Sequence, residues 1–135
     1  MGKMEGLTDD QKPIIYFKDS AYRALERGDP RARMTGAHEF GHLLLHCGAP
    51  TYRAFSTGYD PLFDPERQAN VFAAAFLMPE GAFRKCRTVT EAMTKFGVSR
   101  DAALCRARNL RHKFDVVRPL LTLRKKRGTS NRRFP

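Results

Sequence analysis

Two Asp-Pro pairs, Asp29-Pro30 and Asp64-Pro65, constrain the fold of this chain more than any other feature. An aspartate before a helix accepts first-turn N–H groups that have no partner within the helix. Proline at the first helical position loses no hydrogen bond, and its φ already suits the helix. Each pair therefore predicts a helix start. The first helix runs from about 30 to 47 and stops at Gly48; the second runs from about 65 to 78 and is bounded by Pro79. In the second, Ala69, Phe72, Ala73, Phe76 and Leu77 follow the i, i+3, i+4, i+7 pattern, which gives that helix an apolar face in need of a partner.

The remaining elements are shorter. Residues 1 to 11 are polar and read as loose, after which Ile14 to Phe17 forms a strand-like run that ends at Asp19. Gly48 to Phe63 carries turn formers and aromatics without periodicity and reads as a loop that could line a cleft. Beyond Pro79, a short segment containing Phe83 leads to Thr88-Val-Thr-Glu91, a capping box that opens a helix ending near Phe96, with Gly97 as its stop. Ser99 caps the next helix, and Val98 can staple onto Ala103. The pair has helix-turn-helix spacing. Val116, Val117, Leu120, Leu121 and Leu123 would add a strand or cover the domain. The expected class is α+β, mainly helical. Residues 1–85 form the core, 86–112 a helical pair packed on it, and 113–135 a basic C-terminal segment, partly flexible.

The chemistry lies in the first helix. His38-Glu39-Phe40-Gly41-His42 is H-E-x-x-H. Residues four apart share a helix face, so both imidazoles can reach one metal ion, while Glu39 is angled toward the metal's water and is the candidate general base. The second helix offers a third ligand in Glu66, three residues before Ala69 and seven before Ala73, continuing the apolar stripe. A carboxylate on an inward face is costly unless a cation or strong donors meet it; the rival reading of Glu66 is a first-turn acid favouring the helix dipole. Asn70 is placed to hydrogen-bond a ligand and fix its orientation. His46 pairs with His42 at i, i+4 but lies a turn further from His38, which suits a supporting role outside the ligand set. Tyr52, Tyr59 and His46 all remain open as substrate or oxyanion contacts. The expected cofactor is one zinc ion, with manganese as the other divalent choice.

Composition narrows the class. The chain is 41% hydrophobic with no tryptophan, and its longest apolar run, Leu43 to Leu45, is far too short to span a bilayer. Lys3 is not followed by an apolar stretch, so the cytoplasm is the expected compartment. Cys47, Cys86 and Cys105 form no C-x-x-C and are odd in number, which fits reduced thiols better than a disulfide framework or a cysteine zinc cage. Most of the net charge of +11 lies between Arg106 and Pro135, where the only acid is Asp115. Such a stretch attracts polyanions, nucleic acid first, through salt-sensitive phosphate contacts; otherwise it is a solvated terminus.

Ala37-His-Glu-Phe-Gly-His-Leu-Leu-Leu-His46, followed by Glu66-Arg-Gln-Ala-Asn-Val-Phe-Ala-Ala-Ala-Phe-Leu-Met-Pro79, resembles the ImmA/IrrE family of metallo-endopeptidases. The resemblance extends more weakly over most of residues 13 to 110. It implies a gluzincin-like, zincin-type core in which His38, His42 and Glu66 bind zinc and Glu39 activates water. It also implies a substrate, since family members are known for cutting a partner repressor of the XRE helix-turn-helix type. The expected function is thus a zinc-dependent endopeptidase cleaving such a repressor or an antitoxin-like regulator. The alternative is a non-catalytic DNA- or repressor-binding module with a structural zinc, carried by the helical pair from Thr88 to Leu110 and the basic tail.

Overall fold

The computed structural model describes residues 6–9, 11–48 and 64–115. Two antiparallel strands, β1 (Gly6–Thr8) and β2 (Ile15–Phe17), pair in the register Gly6↔Phe17, Leu7↔Tyr16 and Thr8↔Ile15. Six helices follow among the described residues: α1 (Asp19–Glu26), α2 (Pro30–His46), α3 (Pro65–Leu77), α4 (Glu80–Phe83), α5 (Val89–Phe96) and α6 (Arg100–Asn109). The class is α+β and mainly helical.

Both Asp-Pro starts act as capped helix entries. Asp29 accepts from the Ala32 N–H and Asp64 from the Glu66 N–H, with Pro30 and Pro65 opening the helices. The two helices they launch lie against each other, and the contact is set by small residues. A Cβ on Gly41 would stand 2.9 Å from Phe72 Cδ1 and 3.2 Å from the Ala69 Cα, so the two backbones are nearly touching. Ala37, Gly41, Ala69 and Ala73 are buried along this seam. Phe40 packs edge-on to Phe72 and Phe76 beside it.

The second half is built around a separate cluster. Met78, Phe83 and Cys86 join Ala92, Val98, Ala103 and Ala107 in one hydrophobic core, with Met34 of α2 packed against it. Thr88 caps α5 by accepting from the Glu91 N–H, while Glu91 Oε2 reaches back to the Arg87 N–H. Gly97, at φ +60°, ends α5 in the left-handed conformation that a side chain resists. Ser99 caps α6 through the Ala102 N–H. Val98 and Ala103 are both core residues.

Arginines close the other helix ends. Arg33 Nη2 donates to the Phe96 carbonyl at the end of α5, Arg106 Nε to Met78 O after α3, and Arg84 Nη2 to Leu110 O after α6. Cations at helix C-termini satisfy carbonyls that have no intrahelical partner and complement the dipole. Arg106, counted in the sequence with the basic C-terminal stretch, is thus held within the fold. The Arg33 contact ties α2 to α5, so Arg33→Ala is expected to lower stability by about 1–2 kcal/mol in urea titrations. An unchanged midpoint would show that this bridge carries no net energy.

Several expectations are corrected. Gly6–Thr8, read as loose, is a strand, because pairing with β2 and contact with α2 supply partners that so short a segment does not announce. The α1 helix was not expected: it is eight residues long, its N-cap Lys18 makes no side-chain capping bond, and none of its residues is buried. Phe76, assigned to the apolar face of α3, is exposed and stacks on Phe72 at its rim. Val116, Val117, Leu120, Leu121 and Leu123 lie outside the described residues, as do most of the 48–63 loop and most of the basic segment.

Candidate metal centre

Three side chains converge where α2 passes the first turn of α3. His38 Nε2 lies 3.2 Å from Glu66 Oε2, His42 Nε2 lies 3.1 Å from Glu66 Oε1, and the two Nε2 atoms are 3.0 Å apart. One ligand atom from each of His38, His42 and Glu66 falls within 4.8 Å of the others, so the group could hold a metal ion. For a tetrahedral ion with ligands at about 2.0–2.1 Å, neighbouring donors stand about 3.3 Å apart. The observed spacing is close to that.

With the imidazoles in their neutral form, the surrounding hydrogen bonds assign which nitrogens carry protons. His38 Nδ1 is 2.8 Å from Asn70 Oδ1, so Nδ1–H donates to the amide oxygen and Nε2 keeps its lone pair. A longer relay acts on the second imidazole. His46 Nε2 donates to Gln68 Oε1 at 2.9 Å, leaving His46 Nδ1 as acceptor for His42 Nδ1–H at 3.0 Å. His42 Nε2 is then also a free lone pair. Two imidazole lone pairs and a carboxylate facing one another, with no proton among them, repel unless a cation sits between them. The donor set therefore fits a divalent metal that takes nitrogen and oxygen ligands.

Electrostatics act in the same sense. Burial pushes the His42 pKa below its usual value; Glu66 pulls it up, His38 pushes it down, Glu39 pulls it up and His46 pushes it down, with a net lowering. A lowered pKa keeps the imidazole neutral near pH 7, the form a metal requires.

Glu39 lies between the two histidines on α2, near enough to His42 to raise its pKa. It is the buried charged residue among those described, and its Oε2 accepts from the Thr8 hydroxyl at 2.7 Å. Glu66 departs from expectation. Its side chain is 68% exposed, not buried, because the α3 stripe reaches solvent in its first turn. Among the described residues the group is consequently open on the Glu66 side, and the ion-pair contacts alone would add little stability there.

Sequence reasoning missed Thr8 and Gln68. Neither belongs to a recognisable spacing, and both reach the site only through tertiary contacts. His46 has both ring nitrogens engaged, which leaves it no N–H for an oxyanion. Tyr52 and Tyr59 lie outside the described residues. Cys86 belongs to the core, where burial raises its thiol pKa; Cys47 and Cys105 are free thiols.

Fold and site together define a mainly helical α+β protein whose two main helices present a His-His-Glu group, with an H-E-x-x-H segment on one of them. Among the described residues, no helix is long and apolar enough to cross a membrane. The Peptidase_M78 family model, described as the IrrE N-terminal-like domain, matches residues 25–108, and the chain belongs to that metallopeptidase family. No curated protein and no solved structure matches the chain.

Proposed function

We propose that the protein is a zinc-dependent endopeptidase whose substrate is a helix-turn-helix transcriptional repressor. The observation that carries this reading is the convergence of His38, His42 and Glu66 from two facing helices, with both imidazoles held by Asn70 and His46 in the tautomer that leaves Nε2 free. Family membership supports the peptidase class. Nitrogen-rich ligation of this kind favours zinc over magnesium or calcium, with manganese the next choice.

When bound, zinc lowers the pKa of a water toward about 7 and polarises the scissile carbonyl. The chain's own residues do the rest. His38, His42 and Glu66 hold the ion, and the exposed Glu66 side leaves room for a peptide to approach. Glu39 takes a proton from the attacking water through its carboxylate and delivers it to the departing amide nitrogen as the C–N bond breaks. Asn70 and the His46–Gln68 relay keep the imidazoles oriented throughout.

The repressor as substrate is supported by the family, and it puts the reaction in the cytoplasm. The basic residues beyond Arg106 support an additional, salt-sensitive contact with the nucleic acid that such a repressor occupies.

The test is metal analysis of the purified chain beside a cleavage assay on candidate repressors. One zinc per chain is expected, lost in His42→Ala and Glu66→Ala together with cleavage. A Glu66→Ala chain that keeps its zinc would refute the site. Asn70→Ala should weaken zinc about 10–100-fold, measured by chelator competition, because the His38 ring loses its orienting partner. Equal affinity would show that Asn70 is merely adjacent.

A further inference from the structure

The β1 strand precedes the segment matched by the family model, yet two of its three residues close on Glu39. The Thr8 hydroxyl lies 2.7 Å from Glu39 Oε2 and 2.9 Å from the Glu39 carbonyl oxygen. Gly6 covers the middle of the same side chain, where a Cβ would stand 2.8 Å from Glu39 Cγ and 3.1 Å from Phe17 Cε1. Glu39 is only 9% exposed, and among the described residues its Oε1 carries no hydrogen bond.

We infer that Thr8 is a positioning residue for Glu39: its hydroxyl anchors Oε2 so that Oε1, the oxygen with no partner, is the one presented for proton transfer. This rests on the reading of Glu39 as general base. A glutamate side chain on a helix has three torsions to spend, and a proton acceptor a fraction of an ångström out of place loses rate steeply. Gly6 and Thr8 restrict those torsions from two sides. The hydroxyl has one proton for two acceptors, and the bond to the carboxylate, being charge-assisted, is the stronger.

The division of labour between the two oxygens follows from geometry: the strand's hydroxyl reaches Oε2, and among the described residues Oε1 has no donor.

Three chains are compared: wild type, Thr8→Val and Thr8→Ser. Turnover is followed on a quenched fluorescent peptide chosen from a library by the wild-type chain, with zinc content and denaturant midpoints measured in parallel. Thr8→Val should lower kcat about tenfold, with KM within about twofold and zinc content unchanged, and Thr8→Ser should restore kcat to within about twofold. In the metal-free chain, Thr8→Val should shift the denaturation midpoint further in the Glu39 background than in Glu39→Ala, since only the former leaves a buried carboxylate without its donor. Loss of zinc in Thr8→Val, failure of serine to rescue, or equal midpoint shifts in both backgrounds would overturn the assignment. The midpoint comparison needs no turnover. If the wild-type chain cuts nothing, the peptidase reading fails, and unequal or equal shifts still decide whether Thr8 holds Glu39.

Discussion

Glu39→Gln is expected to retain one zinc per chain while cleavage falls about 10³-fold, a loss of about 4 kcal/mol of transition-state stabilisation. Glutamine has the shape of glutamate and an amide oxygen that can still accept from Thr8, whose hydroxyl lies 2.7 Å from Oε2 in the native chain. The buried side chain is therefore not left unsatisfied. What disappears is the ability to hold a proton. The charge change also has a defined sign at the metal site: Glu39 raises the His42 pKa, so its neutralisation lowers that pKa further and keeps the imidazole more fully in its ligating form. Zinc affinity should not fall on that account. Metal analysis and single-turnover cleavage on the same preparation separate the two effects. Unimpaired cleavage in Glu39→Gln would remove Glu39 from the proposed reaction, and loss of zinc would mean that its charge supports the metal after all.

The parts of the fold that could be read in the sequence are those where a local chemical need shows up as a local residue choice. Asp29-Pro30 and Asp64-Pro65 open α2 and α3 at the expected positions, and Thr88, Gly97 and Ser99 bound α5 and α6. Each of these residues answers a hydrogen-bonding or φ requirement within a few positions of itself. By contrast, α1 follows Lys18, which makes no side-chain capping bond, and none of its residues is fully buried, so no cap marks its start. The β1 triplet depends on pairing with β2 across a short turn and on α2, distant in sequence. The site divides the same way. His38 and His42 are brought together by helix spacing alone. The apolar stripe of α3 points to the position of Glu66 but not to its exposure, since a stripe says nothing about where it meets solvent. Gln68 carries no sequence signal, because its reach to His46 exists only after α2 and α3 have packed.

That helix contact also sets the spacing of the ligand-bearing segments, and Gly41→Ala tests it. Alanine favours a helix interior by about 1 kcal/mol over glycine, so local propensity alone predicts a gain. Packing predicts the reverse. The added Cβ would meet Phe72 Cδ1 at 2.9 Å, the Ala69 Cα at 3.2 Å and the Ala69 carbonyl oxygen at 3.3 Å. The phenylalanine ring can turn aside, but the Ala69 backbone cannot, and α2 and α3 must separate. Overpacking of this kind costs about 1–3 kcal/mol, enough to outweigh the propensity gain. The metal site feels it directly: His42 adjoins Gly41, His38 lies three residues before it, and Glu66 lies three residues before Ala69. Ligand distances tolerate only about 0.2 Å, so Gly41→Ala should weaken zinc at least about tenfold as well as lower the denaturation midpoint. Gly36→Ala supplies the control on the same helix. Its Cβ would meet nothing closer than Leu25 Cδ1 at 3.4 Å, an ordinary contact, and it should bind zinc normally with equal or greater stability. If both alanine chains bind zinc like wild type, the close approach at Gly41 does not set the distance between the imidazoles and Glu66.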